Sequence, residues 1–221
     1  TLFRSGYAVL EDVIPVEQLD GWRSRLDDVY RTQVKEVGGA EKLKAIRELN
    51  VARCPLLYDD TFINLATIPA VVQIAKAFLG EYIILHLQNG IINTPNEDHH
   101  QSSWHRDLPY QNFVSSQPLA LNAMVCLDPF NEETGATQVI PFTHREDKIP
   151  TGDFILRNAV SGQAKPGSVL FMDSMILHRA GYNSSSIIRR GVNHVYTAAI
   201  LRQQLDLPKA LKGKYFQYSW D

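Results

Sequence analysis

His105-Arg106-Asp107 sets an imidazole and a carboxylate two positions apart, within residues 102–108, a segment that reads as a β-strand. On a strand, side chains at i and i+2 project from the same face. Such a pair supplies two of the three ligands of a non-haem Fe(II) site, whose third ligand is a distant histidine. His178 can be that residue. It follows the apolar run Val169-Leu170-Phe171-Met172 and closes Met175-Ile176-Leu177-His178, which puts it on or just after a later strand. His105, Asp107 and His178 are therefore the expected metal ligands.

Other readings of the same residues stay open. His99 and His100 could join His105 in a zinc site, but Pro95-Asn96-Glu97-Asp98 ahead of them reads as an exposed loop, so both are expected to be solvated. Ser103, His105 and Asp107 would lie parallel along one strand, too spread for a proton relay, which argues against a hydrolase. The chain carries no Gly-x-Ser-x-Gly elbow, no Gly-rich phosphate loop and no dinucleotide fingerprint.

The elements that must position these groups follow from periodicity. From residue 81 to about 202 the apolar period is 2, with short strands separated by turn residues, which predicts a double-sheet jelly roll. Within residues 82–88, Tyr82, Ile84, His86 and Gln88 fall on one face, and Ile83, Leu85 and Leu87 on the other. Along residues 119–127 the leucine and valine positions should meet the second layer, while Asn122, Met124 and Cys126 face the other way. Ahead of the barrel, residues 6–14 predict an edge strand. A helix follows, with Pro15 at its first position and Val16, Leu19, Trp22, Leu26 and Val29 at helical spacing. Trp22 is expected to anchor the core. Residues 41–49 are amphipathic, 50–63 read as an irregular connection, and a further helix runs from Pro69 to Gly80. One domain over residues 1–221 is expected: a mostly helical flank over 1–80, a jelly-roll core over 81–202 and a tail over 203–221.

The segment after His178, His178-Arg179-Ala180-Gly181-Tyr182-Asn183-Ser184-Ser185-Ser186-Ile187-Ile188-Arg189, resembles the phytanoyl-CoA dioxygenase family of Fe(II)/2-oxoglutarate oxygenases. In that family a Gly/Asn/Ser-rich turn follows the distal histidine, and an arginine eleven residues on binds the far carboxylate of 2-oxoglutarate. Arg189 occupies that place, and Arg190 should point the other way. Gly135-Ala136-Thr137-Gln138-Val139-Ile140-Pro141-Phe142-Thr143-His144-Arg145 and the opening Ser5-Gly6-Tyr7-Ala8-Val9-Leu10 are similar to two further family segments. The resemblance spans most of residues 3–200. It implies a double-stranded β-helix of mainly β structure with helices packed outside, an Fe(II) ion, 2-oxoglutarate as cosubstrate and O2. It also implies a role for Gln88, seventeen residues before His105, like a glutamine that contacts 2-oxoglutarate in the ectoine hydroxylase branch. Halogenating members lack the carboxylate ligand, so Asp107 implies hydroxylation or a related oxidation. A non-catalytic jelly-roll binding module, or a cupin-like metal enzyme that does not use 2-oxoglutarate, is the alternative; the first predicts no iron-dependent turnover of 2-oxoglutarate, and Arg189 distinguishes the second, which has no need for a carboxylate fork there.

Composition sets bounds. A chain of 221 residues can bury roughly 70% of its unfolded surface without staples. Cys54 and Cys126 lie far apart and read most simply as buried free thiols of a reducing compartment, with one disulfide as the alternative. The net charge of −2 gives no reason to expect nucleic acid or an anionic membrane, and no apolar run approaches the ~20 residues of a bilayer span. The first residue is Thr1 rather than Met, which leaves room for an N-terminal piece before it, and no signal-peptide pattern is seen; a cytoplasmic location is expected. Substrate contacts are expected from residues 40–60, 93–103, 108–117 and 145–163, with Tyr110, Gln111 and Asn112 among them. Basic residues such as Arg145, Lys148, Arg157 and Lys165 are scattered rather than clustered, which points away from acyl-CoA and towards a small polar metabolite or natural-product intermediate. Asn183-Ser184-Ser185 matches a glycosylation sequon but reads as a turn.

Overall fold

The computed structural model describes residues 1–108 and 114–211. Tyr110, Gln111 and Asn112, and most of the expected tail, lie outside the described residues. The helices are α1 (Leu2–Ser5), α2 (Val16–Val37), α3 (Ala40–Ala45), α4 (Ile63–Ala66), α5 (Pro69–Leu79), α6 (Gly152–Asn158) and α7 (Leu207–Ala210). The strands are β1 (Tyr7–Leu10), β2 (Val51–Arg53), β3 (Ile83–Asn93), β4 (Ala120–Cys126), β5 (Gln138–Ile140), β6 (Val160–Ser161), β7 (Val169–Asp173), β8 (Leu177–Arg179) and β9 (Arg189–Ala198). Two antiparallel sheets result: a large one in the order β1-β7-β4-β9-β3-β2 and a small one in the order β6-β5-β8. This is the double-stranded β-helix that the period of 2 predicts.

Helices cover one face of the large sheet and the small sheet covers the other. Leu26 and Val29 of α2 and Val71 and Phe78 of α5 pack on Val125, Phe171, Val192 and Tyr196. Met124, Cys126, Leu170 and Met172 on the opposite face meet Val139 and Ile176. Burying each such side chain contributes about 1.5–3 kcal/mol. The expectation for β4 is thereby corrected: its Leu/Val face meets the helices, and the Asn122/Met124/Cys126 face meets the second sheet. α2 lies so close to β3 that a Cβ on Gly90 would fall 2.2 Å from Leu26 Cδ1.

The front section departs from the sequence reading in three places. Pro15 is the N-cap of α2 rather than its first residue, and Val16 is exposed. The stretch expected to be irregular supplies β2, which closes one edge of the large sheet on β3 as β1 closes the other on β7. Hydrogen-bonding partners far along the chain made β2 a strand, a factor that local pattern does not carry, whereas β1 is the edge strand expected over residues 6–14. Trp22 packs against Phe62 with ring centroids 5.5 Å apart and planes tilted by 58°, and Cys54 and Cys126 are free and buried. α5 matches its expected span, with Pro69 opening it and Gly80 at its C-cap. No single helix among the described residues is long and apolar enough to cross a membrane.

A bulge in β3 decides which side chains reach the barrel interior. Leu85 pairs with Tyr196 and Leu87 with Val195, so His86 is the extra residue. A bulge inverts the alternation beyond it. Leu85 thus packs with the helices, while Leu87, Asn89, Ile91 and Asn93 form the interior face. Gln88 and Ile92 turn towards the helices.

Candidate metal and cosubstrate site

His105 and His178 form an isolated antiparallel bridge, joined by His105 N–H to His178 O at 2.9 Å and His178 N–H to His105 O at 3.0 Å. Residues 102–108 do not make the regular strand that was expected; only His105 pairs, and Asp107 N–H turns to Ser174 O at 3.0 Å. The two-residue spacing still brings the side chains together. His105 Nε2 and His178 Nε2 each lie 3.5 Å from Asp107 Oδ1, and the imidazole centroids are 4.4 Å apart. Metal bonds of about 2.0–2.2 Å at right angles would hold neighbouring donors about 3 Å apart, so the three groups need little movement to share an ion.

Tautomers agree with that use. His105 Nδ1 meets Ser103 O at 2.8 Å and His178 Nδ1 meets Ile176 O at 3.0 Å, and a carbonyl can only accept. Each ring therefore carries a proton on Nδ1 and turns Nε2 towards Asp107, the position where a metal ion would take the place of a second proton. Burial would raise the Asp107 carboxyl, but the charge of His178 and the bonds to both imidazoles hold it well below the usual range. Burial works against the charged form of His105, and Asp107 outweighs it, raising its pKa. The carboxylate favours positive charge at this point, which a divalent cation also supplies.

Arg189 is the largest fully buried side chain, 1% exposed, and lies in the same cavity as the triad. β9 sets its direction. Arg189 pairs with Asn93 on the interior face, whereas Arg190, on the outer face, binds Asp27 and Asp128. Nε and Nη2 of Arg189 have no hydrogen-bond partner among the described residues, and its guanidinium lies 4.4 Å from the Phe130 ring centroid. Burial lowers its pKa to about 10, so it stays cationic at neutral pH. Thr137, Met124, Ile91 and Asn193 line the space between Arg189 and the triad.

Gln88 does not join this group. Its Oε1 accepts from Leu56 N–H at 2.9 Å and its Nε2 donates to Phe62 O at 3.1 Å, both towards the helical side. The bulge at His86 is the physical reason, since the unbroken alternation would have turned it inward. His99 is also corrected: it is buried rather than solvated, its pKa pushed down to about 3 by burial and by the neighbouring cationic groups, while His100 is exposed. His194 is a neutral core histidine, lowered to about 4 by burial. His144 reaches Phe3 O at 3.4 Å, a structural contact. Asn183 is a buried turn residue whose amide donates to Asn93 O and Ile187 O.

Sequence reasoning passed over three supports. Asn122 and Ser174 bond towards Asp107; a buried asparagine in an apolar strand was the available signal. Asn93 Nδ2 donates to Gly181 O at 2.9 Å and ties down the turn after His178, where a Cβ on Gly181 would lie 2.5 Å from Ala136 O. Arg106 turns away from the ligands and donates to Glu146 O at 2.6 Å and Thr143 O at 3.1 Å.

A family model described as phytanoyl-CoA dioxygenase (PhyH) matches residues 3–191. An uncharacterized protein of Mycobacterium tuberculosis is 38% identical over 213 residues, spanning 93% of this chain and 76% of that protein. A probable alpha-ketoglutarate-dependent hypophosphite dioxygenase of Stutzerimonas stutzeri is 26% identical, spanning 88% of this chain and 75% of that one. EctD from S. alaskensis, solved with 2-oxoglutarate and 5-hydroxyectoine, has a TM-score of 0.72 at 20% identity, over 92% of this chain and 76% of that chain. The epimerase SnoN, in complex with Fe3+, alpha ketoglutarate and nogalamycin RO, has a TM-score of 0.68 at 20% identity, over 98% and 89%. At these identities the two structures speak to the fold, and the family match speaks to descent. The chain belongs to the phytanoyl-CoA dioxygenase family of Fe(II)/2-oxoglutarate-dependent oxygenases.

Proposed function

We propose that this protein is a Fe(II)/2-oxoglutarate-dependent dioxygenase that hydroxylates, or otherwise oxidises, a small-molecule substrate. His105, Asp107 and His178 are the metal ligands in this reading, and Arg189 binds the far carboxylate of 2-oxoglutarate. The observation that carries it is the Arg189 guanidinium, fully buried, without a hydrogen-bond partner at two of its nitrogens, and facing the cavity of the triad. Burial disfavours this cation, the Asp128 charge and the Phe130 ring offset that only in part, and a planar carboxylate on its fork would relieve it. A binding module or a metal enzyme without this cosubstrate has no use for that cation.

When bound, iron with 2-oxoglutarate and O2 supplies oxidation of a substrate C–H bond, with succinate and CO2 as co-products. The chain's own residues do the rest. Nδ1–H bonds to Ser103 O and Ile176 O fix the imidazole orientations. Met124, Met172 and Ile91 surround the cavity with apolar atoms that keep bulk water from the reacting centre. Gln88 is left out of the proposed site, because its amide is satisfied on the other face of β3. The free thiols of Cys54 and Cys126 support a reducing, cytoplasmic setting. A small polar metabolite or natural-product intermediate is the proposed substrate class, in keeping with the scattered basic residues.

An anaerobic titration of the apo protein with Fe(II) and then 2-oxoglutarate tests the reading. A visible metal-to-ligand charge-transfer band is expected in the wild type. It should vanish in His105→Ala and require far more 2-oxoglutarate in Arg189→Ala. No band at any concentration would favour the binding module.

A further inference from the structure

Asp107 Oδ2 accepts a short hydrogen bond from Asn122 Nδ2, and Asn122 Oδ1 accepts from Ser174 Oγ at 2.6 Å. Asn122 and Ser174 are both 0% exposed. Backbone bonds lock the same three segments, Asp107 N–H to Ser174 O at 3.0 Å and Ser174 N–H to Ala120 O at 3.1 Å. The polarity of the chain is set by its end: a carboxylate only accepts, so the asparagine NH2 must face it and leave its oxygen to the serine hydroxyl. The other oxygen, Oδ1, is the one 3.5 Å from each imidazole Nε2.

We propose that Asn122, itself held by Ser174, is a positioning residue that engages Oδ2 of Asp107 and so presents a single carboxylate oxygen to the metal. The proposal rests on the metal-site reading above and deepens it. A carboxylate can bind an ion through one oxygen or two, and the second mode takes a further coordination position. Two imidazoles and one oxygen leave three positions of an octahedron, the number that a chelating cosubstrate and O2 need. Turning Oδ2 to the ion would strand the buried Asn122 donor, so the hydrogen bond opposes chelation. β4 carries Asn122 on the interior face and Ser174 directly follows β7, so the clamp belongs to the large sheet.

Mn(II) bound to the full chain, read by water-proton relaxation per bound ion, counts the positions left to solvent. The wild type should hold about three exchangeable waters. Asn122→Leu, similar in size and unable to donate, frees Oδ2, and the water contribution per bound ion should fall by about a third. Ser174→Ala keeps the amide but releases its far end, and should move the value the same way; it decides the matter if Asn122→Leu does not fold. Because the readout is per bound ion, a general loss of stability does not move it. Unchanged relaxation in the folded variants would overturn the clamp, whatever their melting temperatures. A wild type that binds no Mn(II) would overturn the metal-site reading and this inference with it.

Discussion

His105 and His178 stand directly opposite one another across an antiparallel bridge, exchanging backbone hydrogen bonds of 2.9 and 3.0 Å. The backbone thus brings together two imidazoles that are distant in sequence, and Asp107 completes the triangle from a turn rather than from a strand. All three ligand atoms lie within 4.8 Å of one another. A site built this way should survive the loss of one side chain as a fold while losing its metal. Asp107→Gly or His105→Ala is expected to lower Fe(II) affinity by more than the ~10–100-fold typical of losing an outer partner, with succinate formation abolished. Undiminished turnover in Asp107→Gly would remove Asp107 from the ligand set.

Arg189 separates binding from stability. Arg189→Met should weaken 2-oxoglutarate binding by about 2–5 kcal/mol, roughly 30-fold to several thousand-fold. The apo protein should melt no lower than the wild type, because the substitution removes a buried cation, two of whose nitrogens lack a hydrogen-bond partner among the described residues, and keeps an unbranched apolar stem. Calorimetric titration and thermal melting of the apo form measure the two effects. A large drop in melting temperature with cosubstrate affinity intact would make Arg189 a structural residue.

Gln88 should behave in the opposite way. Gln88→Leu leaves Leu56 N–H and Phe62 O unpaired in the core, a loss of about 1–3 kcal/mol of stability, with 2-oxoglutarate affinity unchanged. Denaturant unfolding alongside cosubstrate titration tests this. A weakened affinity without destabilisation would return Gln88 to the site.

Asp173 gives the fold a pH dependence. It is 5% exposed, and burial raises its pKa to about 6, against a bond from Met175 N–H and the charges of Arg106 and Arg145, which lower it. A carboxyl whose folded pKa exceeds its unfolded value is unpenalised well below the unfolded pKa, increasingly destabilising between the two values, and destabilising by a constant amount above the folded one. Asp173→Asn, which keeps an acceptor for Met175 N–H, should stabilise the protein by up to about 3 kcal/mol at pH 7 and by only about 0.5 kcal/mol near pH 4. Urea unfolding at both pH values provides the check; equal stabilisation at both would show that the charge is not the cause.

The sequence alone determined the kinds of groups available and the period that presents them. His105-x-Asp107 and His178 were legible as residue types at a telling spacing, although the strand expected around His105 and Asp107 does not form, and Arg189 was legible from its place eleven residues after His178 in the resembled family; that Arg189 and Arg190 face opposite ways needs only strand parity, which is local. The helix-to-strand change near residue 81 was legible for the same reason, and the period alone predicted a jelly roll. Only the tertiary structure decided where parity breaks and which distant segments meet. One extra residue at His86 turned Gln88 away from the site, a change that no local propensity announces. β2 is a strand because β3 offers it hydrogen-bond partners, and His99 is buried although the loop before it is polar. Asn122 looked like one polar residue in an apolar strand, and its meaning comes from Ser174, 52 positions away, and from Asp107, 15 positions away. Such pairings are properties of the closed barrel, because the hydrogen bonds of a buried polar group are assigned only when burial removes water as the alternative partner.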